Sequence, residues 1–126
     1  MNNTLSCFYF IVFAFLNSSC KKSDNVADMN KISKIKAESA KLNKYFDDRF
    51  KEYVDRSPMF QTRLGIKKDY DKFDDISPER ERFELEEAKA SLKWLIDSVK
   101  IGLLDKNTLL SYELYKQRLE NQVADF

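Results

Sequence analysis

The chain has 126 residues, with 22 Lys/Arg, 21 Asp/Glu, no histidine and a net charge of +1, which is the size of one small domain or part of a larger one. The two signs are interleaved and no basic stripe forms, so the electrostatic footprint of a nucleic-acid binder is missing. The lack of histidine excludes His-based zinc sites, His general bases and His pH switches from these residues.

All of the charge lies after Cys20. Residues 8–16, FYFIVFAFL, form an uncharged apolar run that fits the h-region of a signal peptide and is shorter than the roughly 20 residues of a spanning helix. Asn17-Ser18-Ser19 follow, then Cys20-Lys21-Lys22. The two cysteines are Cys7 and Cys20, so cleavage before Cys20 leaves one thiol and no internal disulfide, which points to lipidation. A cysteine after an h-region and before a polar stretch resembles the lipobox of bacterial lipoproteins, where the thiol is acylated and becomes the new N-terminus. This n-region carries no Lys or Arg, and Leu16 stands four residues before Cys20 where the usual pattern has an aliphatic at three. The alternatives are a signal segment that works without the cysteine and a buried N-terminal helix with an incidental one. The lipobox reading gives residues 1–20 as signal peptide, with Cys20 as the lipidation site. It makes residues 21–30, KKSDNVADMN, a polar tether, and it puts the protein at the bacterial cell envelope, held to a membrane by its lipid on the periplasmic or outer-membrane side.

From Lys31, apolar residues recur as Ile32, Ile35, Ser39/Ala40, Leu42, Phe46, Phe50 and Tyr53/Val54, in the steps of three and four that mark one face of a helix. Charged residues fill the other face as a solvated surface. The helix is expected to end near Asp55 or Arg56, because the residue before a proline avoids helical geometry. Ser57-Pro58 and Ser77-Pro78 each read as an N-cap followed by proline at the first helical position. Between Pro58 and Leu64 there is room for two helical turns, and Gly65 stands where a left-handed C-cap belongs. A loop from Ile66 to Ile76 follows, expected to fold Tyr70 and Phe73 onto the helices and leave its acids in water. Its "DYDKFDDISPER" has Phe73 and Asp74 where a calcium loop needs its third ligand and its glycine, so no metal site is assigned.

After Pro78, the residues Phe83, Leu85, Ala88, Leu92, Leu95, Ile96 and Val99 mark the buried side of a second long helix, with Gly102 as its stop. Trp94 reads as core or the edge of it. A third long helix spans about Lys106 to Ala124, with Leu109, Tyr112, Tyr115 or Lys116, Leu119 and Val123 on one face. The fold class is all-α, with three long amphipathic helices plus one short helix. Its core is modest, giving a stability of about 5 kcal/mol or less.

The order F-x-x-R-F-x-E-Y-x-x-x-S-P-x-x-x-T-x-L-G-I-x-x-x-Y-D-x-x-D-D-x-S-P-E, from Phe46 to Glu79, resembles the start of DUF885 proteins, long bacterial chains that are often lipoproteins. The resemblance runs from about residue 40 to 126. It implies that residues 31–126 are the N-terminal helical part of a larger fold similar to zinc-dependent peptidases, in which a His-Glu zinc motif lies far downstream. On that reading zinc is held by a downstream region absent from this chain. The chain itself has no catalytic, cofactor-binding or metal-ligating residue, is inactive alone, and has the C-terminal body of the same protein as its partner. The other reading is a small self-contained helical interaction module anchored at the membrane.

Overall fold

A computed structural model describes residues 22–126; the leader and Cys20 lie outside the described residues. In chain order come α1 (Lys22–Arg56), α2 (Pro58–Arg63), α3 (Pro78–Ser98), a 3-10 turn (Ile101–Leu103) and α4 (Lys106–Ala124), with no strand among the described residues. The architecture is all-α, with three long helices and one short one. The chain divides into two compact units, Met1–Ser33 and Lys34–Phe126.

In the first unit, residues 22–33 are helical. Helix α1 therefore begins at Lys22, nine residues before the expected start at Lys31. Residues 22–30 contain neither proline nor glycine, and extending a helix needs only one further hydrogen bond per residue once a nucleus exists. Val26, Met29 and Ile32 are exposed, at 64%, 71% and 64%.

The second unit holds the core. Leu42 of α1, Ala88 and Leu95 of α3, Val99, and Tyr112 and Leu119 of α4 are buried, with Tyr45, Phe46, Leu92, Trp94, Leu104, Tyr115 and Val123 packed around them. Helices α3 and α4 form the closest helix pair. Helix α1 reaches them through large rings. Tyr45 stacks on Trp94 with centroids 3.9 Å apart and planes 9° apart, and Phe46 meets Tyr115 edge-on at 5.1 Å. Each such ring pair adds about 0.5–1.5 kcal/mol beyond its area burial. Trp94 thus sits at the edge of the core, as its position in the apolar pattern suggests.

The apolar faces are correctly placed, but they are only partly covered. Ser39 rather than Ala40 turns inward on α1. Ile32, Phe50, Phe83 and Ile96 occupy the expected helical positions and are 64%, 53%, 48% and 58% exposed. Tyr70, Phe73 and Ile76 of the long loop are also exposed, the last two at 84% and 94%. That loop does not lay its aromatics on the helices as expected.

The helix ends show which signals are local. At α3, the Ser77 hydroxyl accepts the Arg80 N–H at 3.2 Å, and at α2, Gly65 adopts φ +77°, the left-handed geometry open to glycine. Ser57 behaves differently: it is buried and makes no side-chain cap. The Asp74 carboxylate, fifteen residues on, accepts the Met59 N–H at 3.0 Å instead. Gly102 is not the stop of α3, which ends at Ser98 with Val99 extended, and Gly102 lies inside the 3-10 turn. The end of α3 is set by α1: Lys41 Nζ donates to the Ser98 carbonyl, and the Lys100 N–H donates to Glu38 Oε1 at 3.0 Å. That backbone donor and the neighbouring Lys41 hold the Glu38 carboxyl below its ordinary range.

Candidate functional site

A groove of about 680 Å³ opens on one side of the Lys34–Phe126 unit. Three helical faces line it. Phe46, Arg49, Phe50, Tyr53 and Arg56 come from α1; Glu84, Glu87, Ala88 and Ser91 from α3; and Ser111, Leu114, Tyr115, Arg118, Leu119 and Gln122 from α4, with Phe60 of α2 at one end. On each helix the spacing is three or four, so each contributes one continuous stripe. A volume of this order is usual for a binding site, and aromatic and aliphatic side chains share the lining about equally with charged and polar ones.

The short helix α2 closes one end. Its Phe60 ring meets Phe50 at 6.1 Å and Tyr53 at 5.2 Å. Gln61, 1% exposed, anchors α2 to α1 by donating from Nε2 to the carbonyls of Val54 at 3.0 Å and Asp55 at 3.2 Å. It thereby satisfies the Asp55 carbonyl, one of those a helix C-terminus leaves unpaired, and adds a second donor at Val54, whose carbonyl also accepts the Ser57 N–H at 3.2 Å. Its Oε1 is buried without a partner.

The charges of the groove are mostly spent on one another. Arg56 Nη1 donates to Glu87 Oε1 at 2.6 Å, which raises the Arg56 guanidinium pKa above its usual value. Arg49 pairs with Glu52 and lies 3.7 Å from the same Glu87 oxygen. Arg80 Nε donates to Glu84 at 2.8 Å. Arg118 has no carboxylate partner among the described residues, and Arg56 Nε is buried with no hydrogen-bond partner. Burial pushes the Tyr115 hydroxyl pKa up, so it remains a neutral phenol at physiological pH.

Each glutamate lining the groove is paired with a guanidinium, Glu87 with Arg56 and Glu84 with Arg80. The donor set does not fit zinc: the chain contains no histidine, and no three His, Cys, Asp or Glu side chains converge among the described residues. Two of the loop acids have backbone tasks: Asp74 caps α2 and Asp75 Oδ1 accepts the Ser77 N–H at 2.9 Å, while Asp69 pairs with the Lys72 ammonium at 2.8 Å. Cys20, the one site residue assigned from sequence, lies outside the described residues, and no helix among those residues is long and apolar enough to cross a membrane.

The groove was partly legible in the sequence. Phe46, Phe50 and Tyr53 stand on the predicted apolar stripe of α1. Arg49 and Arg56, seven residues apart, share that face and were the available sign that it is not uniformly dry. Comparison with known proteins adds nothing to the site, since no family model, curated protein or solved structure matches the chain.

Proposed function

We propose that this chain is the N-terminal helical portion of a DUF885-type bacterial lipoprotein, exported and held at the cell envelope through a lipid on Cys20. The peptidase-like zinc chemistry of such a protein would belong to a downstream body that is not part of this chain. The groove is then the face on which that body completes the fold. One observation carries the reading. Three long helices share a core at Leu42 and Leu95, yet leave Phe50, Tyr53 and Leu114 at 53%, 42% and 60% exposure along a single groove, and contiguous exposed apolar surface of this kind marks an interaction face.

Two experiments test it. The reading frame downstream of the Phe126 codon is expected to encode, in frame or in a second frame, a helical protein with a His-Glu motif; unrelated genes there would remove the body from the proposal. Cys20→Ala in the full chain is expected to abolish membrane retention, and unchanged retention would sink the lipid anchor.

A self-contained, membrane-anchored interaction module is the second reading. It is favoured by the complete burial of Leu42, Leu95 and Gln61 by the chain's own helices. A monodisperse, cooperatively melting monomer would support it over the first.

A further inference from the structure

We propose that the groove takes one amphipathic helix of about three turns, with an apolar i, i+3/i+4, i+7 stripe and an Asp or Glu beside it that faces Arg118. The proposal rests on the reading of the groove as a docking face and names the chemistry of what docks there.

The shape points to a helix. The stripes on α1, α3 and α4 converge as the three inner faces of a bundle that is open on its fourth side. The α1 stripe runs from Phe46 to Arg56, about 15 Å at the rise of an α-helix. Phe50, Tyr53 and Leu114, more than 40% exposed, would be covered by alternate turns of an apolar face.

The charge selects its sign. Glu84 and Glu87 are each paired with an arginine of this chain. Arg118 is exposed on the lining without a carboxylate partner among the described residues, so the groove sets the guanidiniums of Arg49, Arg56 and Arg118 against only these two carboxylates, and Arg56 Nε is buried without a hydrogen-bond partner. An acidic residue on the incoming helix supplies the acceptor, and a guanidinium pairs with a carboxylate through two parallel hydrogen bonds.

The test is a selection of displayed helical 14-mers with randomised faces against the full chain, followed by binding measurements with Arg118→Glu, Arg118→Gln and Leu114→Asp. Both positions are on the surface side of α4, and thermal melts are expected to show all three variants folded. The selected peptides should carry Asp or Glu flanking an apolar stripe. They should bind Leu114→Asp and Arg118→Glu about tenfold or more weakly and Arg118→Gln by an intermediate amount, and a Glu→Lys change in the peptide should restore binding to Arg118→Glu. Neutral or basic selected peptides, acidic peptides indifferent to Arg118, or no selected peptide at all would overturn the proposal. So would concentration-dependent dimerisation abolished by Leu114→Asp, which would make a second copy the occupant. None of these outcomes depends on Cys20 or on the downstream frame, so failure here is distinguishable from failure of the lipoprotein reading.

Discussion

Asp105 shows how a single side chain starts a helix and ties it to another. Its carboxylate accepts the N–H groups of Asn107 at 3.0 Å and Thr108 at 2.9 Å and the Thr108 hydroxyl at 2.9 Å, while its own N–H donates to the Ser39 hydroxyl of α1 at 2.9 Å. The Thr108 N–H, with the Ser39 and Thr108 hydroxyls, holds the Asp105 carboxyl down at about 2. In an unfolded chain an aspartate titrates near 3.9, so the folded state favours the ionised form. The resulting stabilisation is fully present above about pH 4 and is lost as the pH falls through about 2. Asp105→Ala is therefore expected to lower the melting temperature at pH 7. Asp105→Asn keeps most of the cap, because asparagine is as good an N-cap residue as aspartate, and it removes the titration. Melting curves of the three proteins between pH 7 and pH 2 check this: the gap between wild type and the Ala variant should narrow toward pH 2, and a gap that stays constant would contradict the assignment.

Among the elements, α2 is the one whose boundaries depend most on the chain around it. Six residues cannot sustain a helix alone. Its start is capped by Asp74 from the loop, its end turns on Gly65, and Gln61 fastens it to the last carbonyls of α1. Asp74→Ala leaves the Met59 N–H without its acceptor and unties the 64–77 loop from α2. The expected outcome is faster hydrogen exchange at Met59 and faster tryptic cleavage at Lys67, Lys68 and Lys72, with α3 and α4 unaffected; unchanged cleavage would show that the loop is held by something else. The same element marks how far local sequence signals reach. Ser77-Pro78 and Ser57-Pro58 are the same two letters, yet only the first serine caps its helix. Ser57 is buried against α1, and its place is taken by a residue that chain order puts in the next loop. The end of α3 is similar: Gly102 is a good local stop, but Lys41 and Glu38, about sixty residues earlier, take up the carbonyl of Ser98 and the N–H of Lys100 and end the helix sooner. Signals that act within one turn could be read from the chain, whereas those supplied by another helix could not.

At the scale of the whole molecule, periodicity places each residue on a face but does not say whether anything covers that face. Leu95 and Ile96 both belong to the expected buried side of α3, yet Leu95 is 0% exposed and Ile96 is 58% exposed. The difference lies in how many helices are present to close around α3, which no single helix encodes. The groove shows the same effect at Phe50, which stands on the expected stripe of α1 and is 53% exposed, whereas Leu114, 60% exposed, lies off the stripe read on α4. With so few apolar side chains fully buried, stability is concentrated in Leu42 and Leu95. Removing three carbons from Leu95 leaves a cavity between α3 and its neighbours and costs about 3 kcal/mol, a large share of the roughly 5 kcal/mol available to a core this small. Ile96→Ala, one position away on the same helix, removes side chain already in water and should cost less than about 0.5 kcal/mol. Urea titrations of the two variants, followed by far-ultraviolet circular dichroism, are expected to give a midpoint for Leu95→Ala about half that of the parent or lower and one for Ile96→Ala close to that of the parent. Equal shifts would mean that Ile96 is covered in solution, and the open surface would then have to be redrawn on that side of α3 as well.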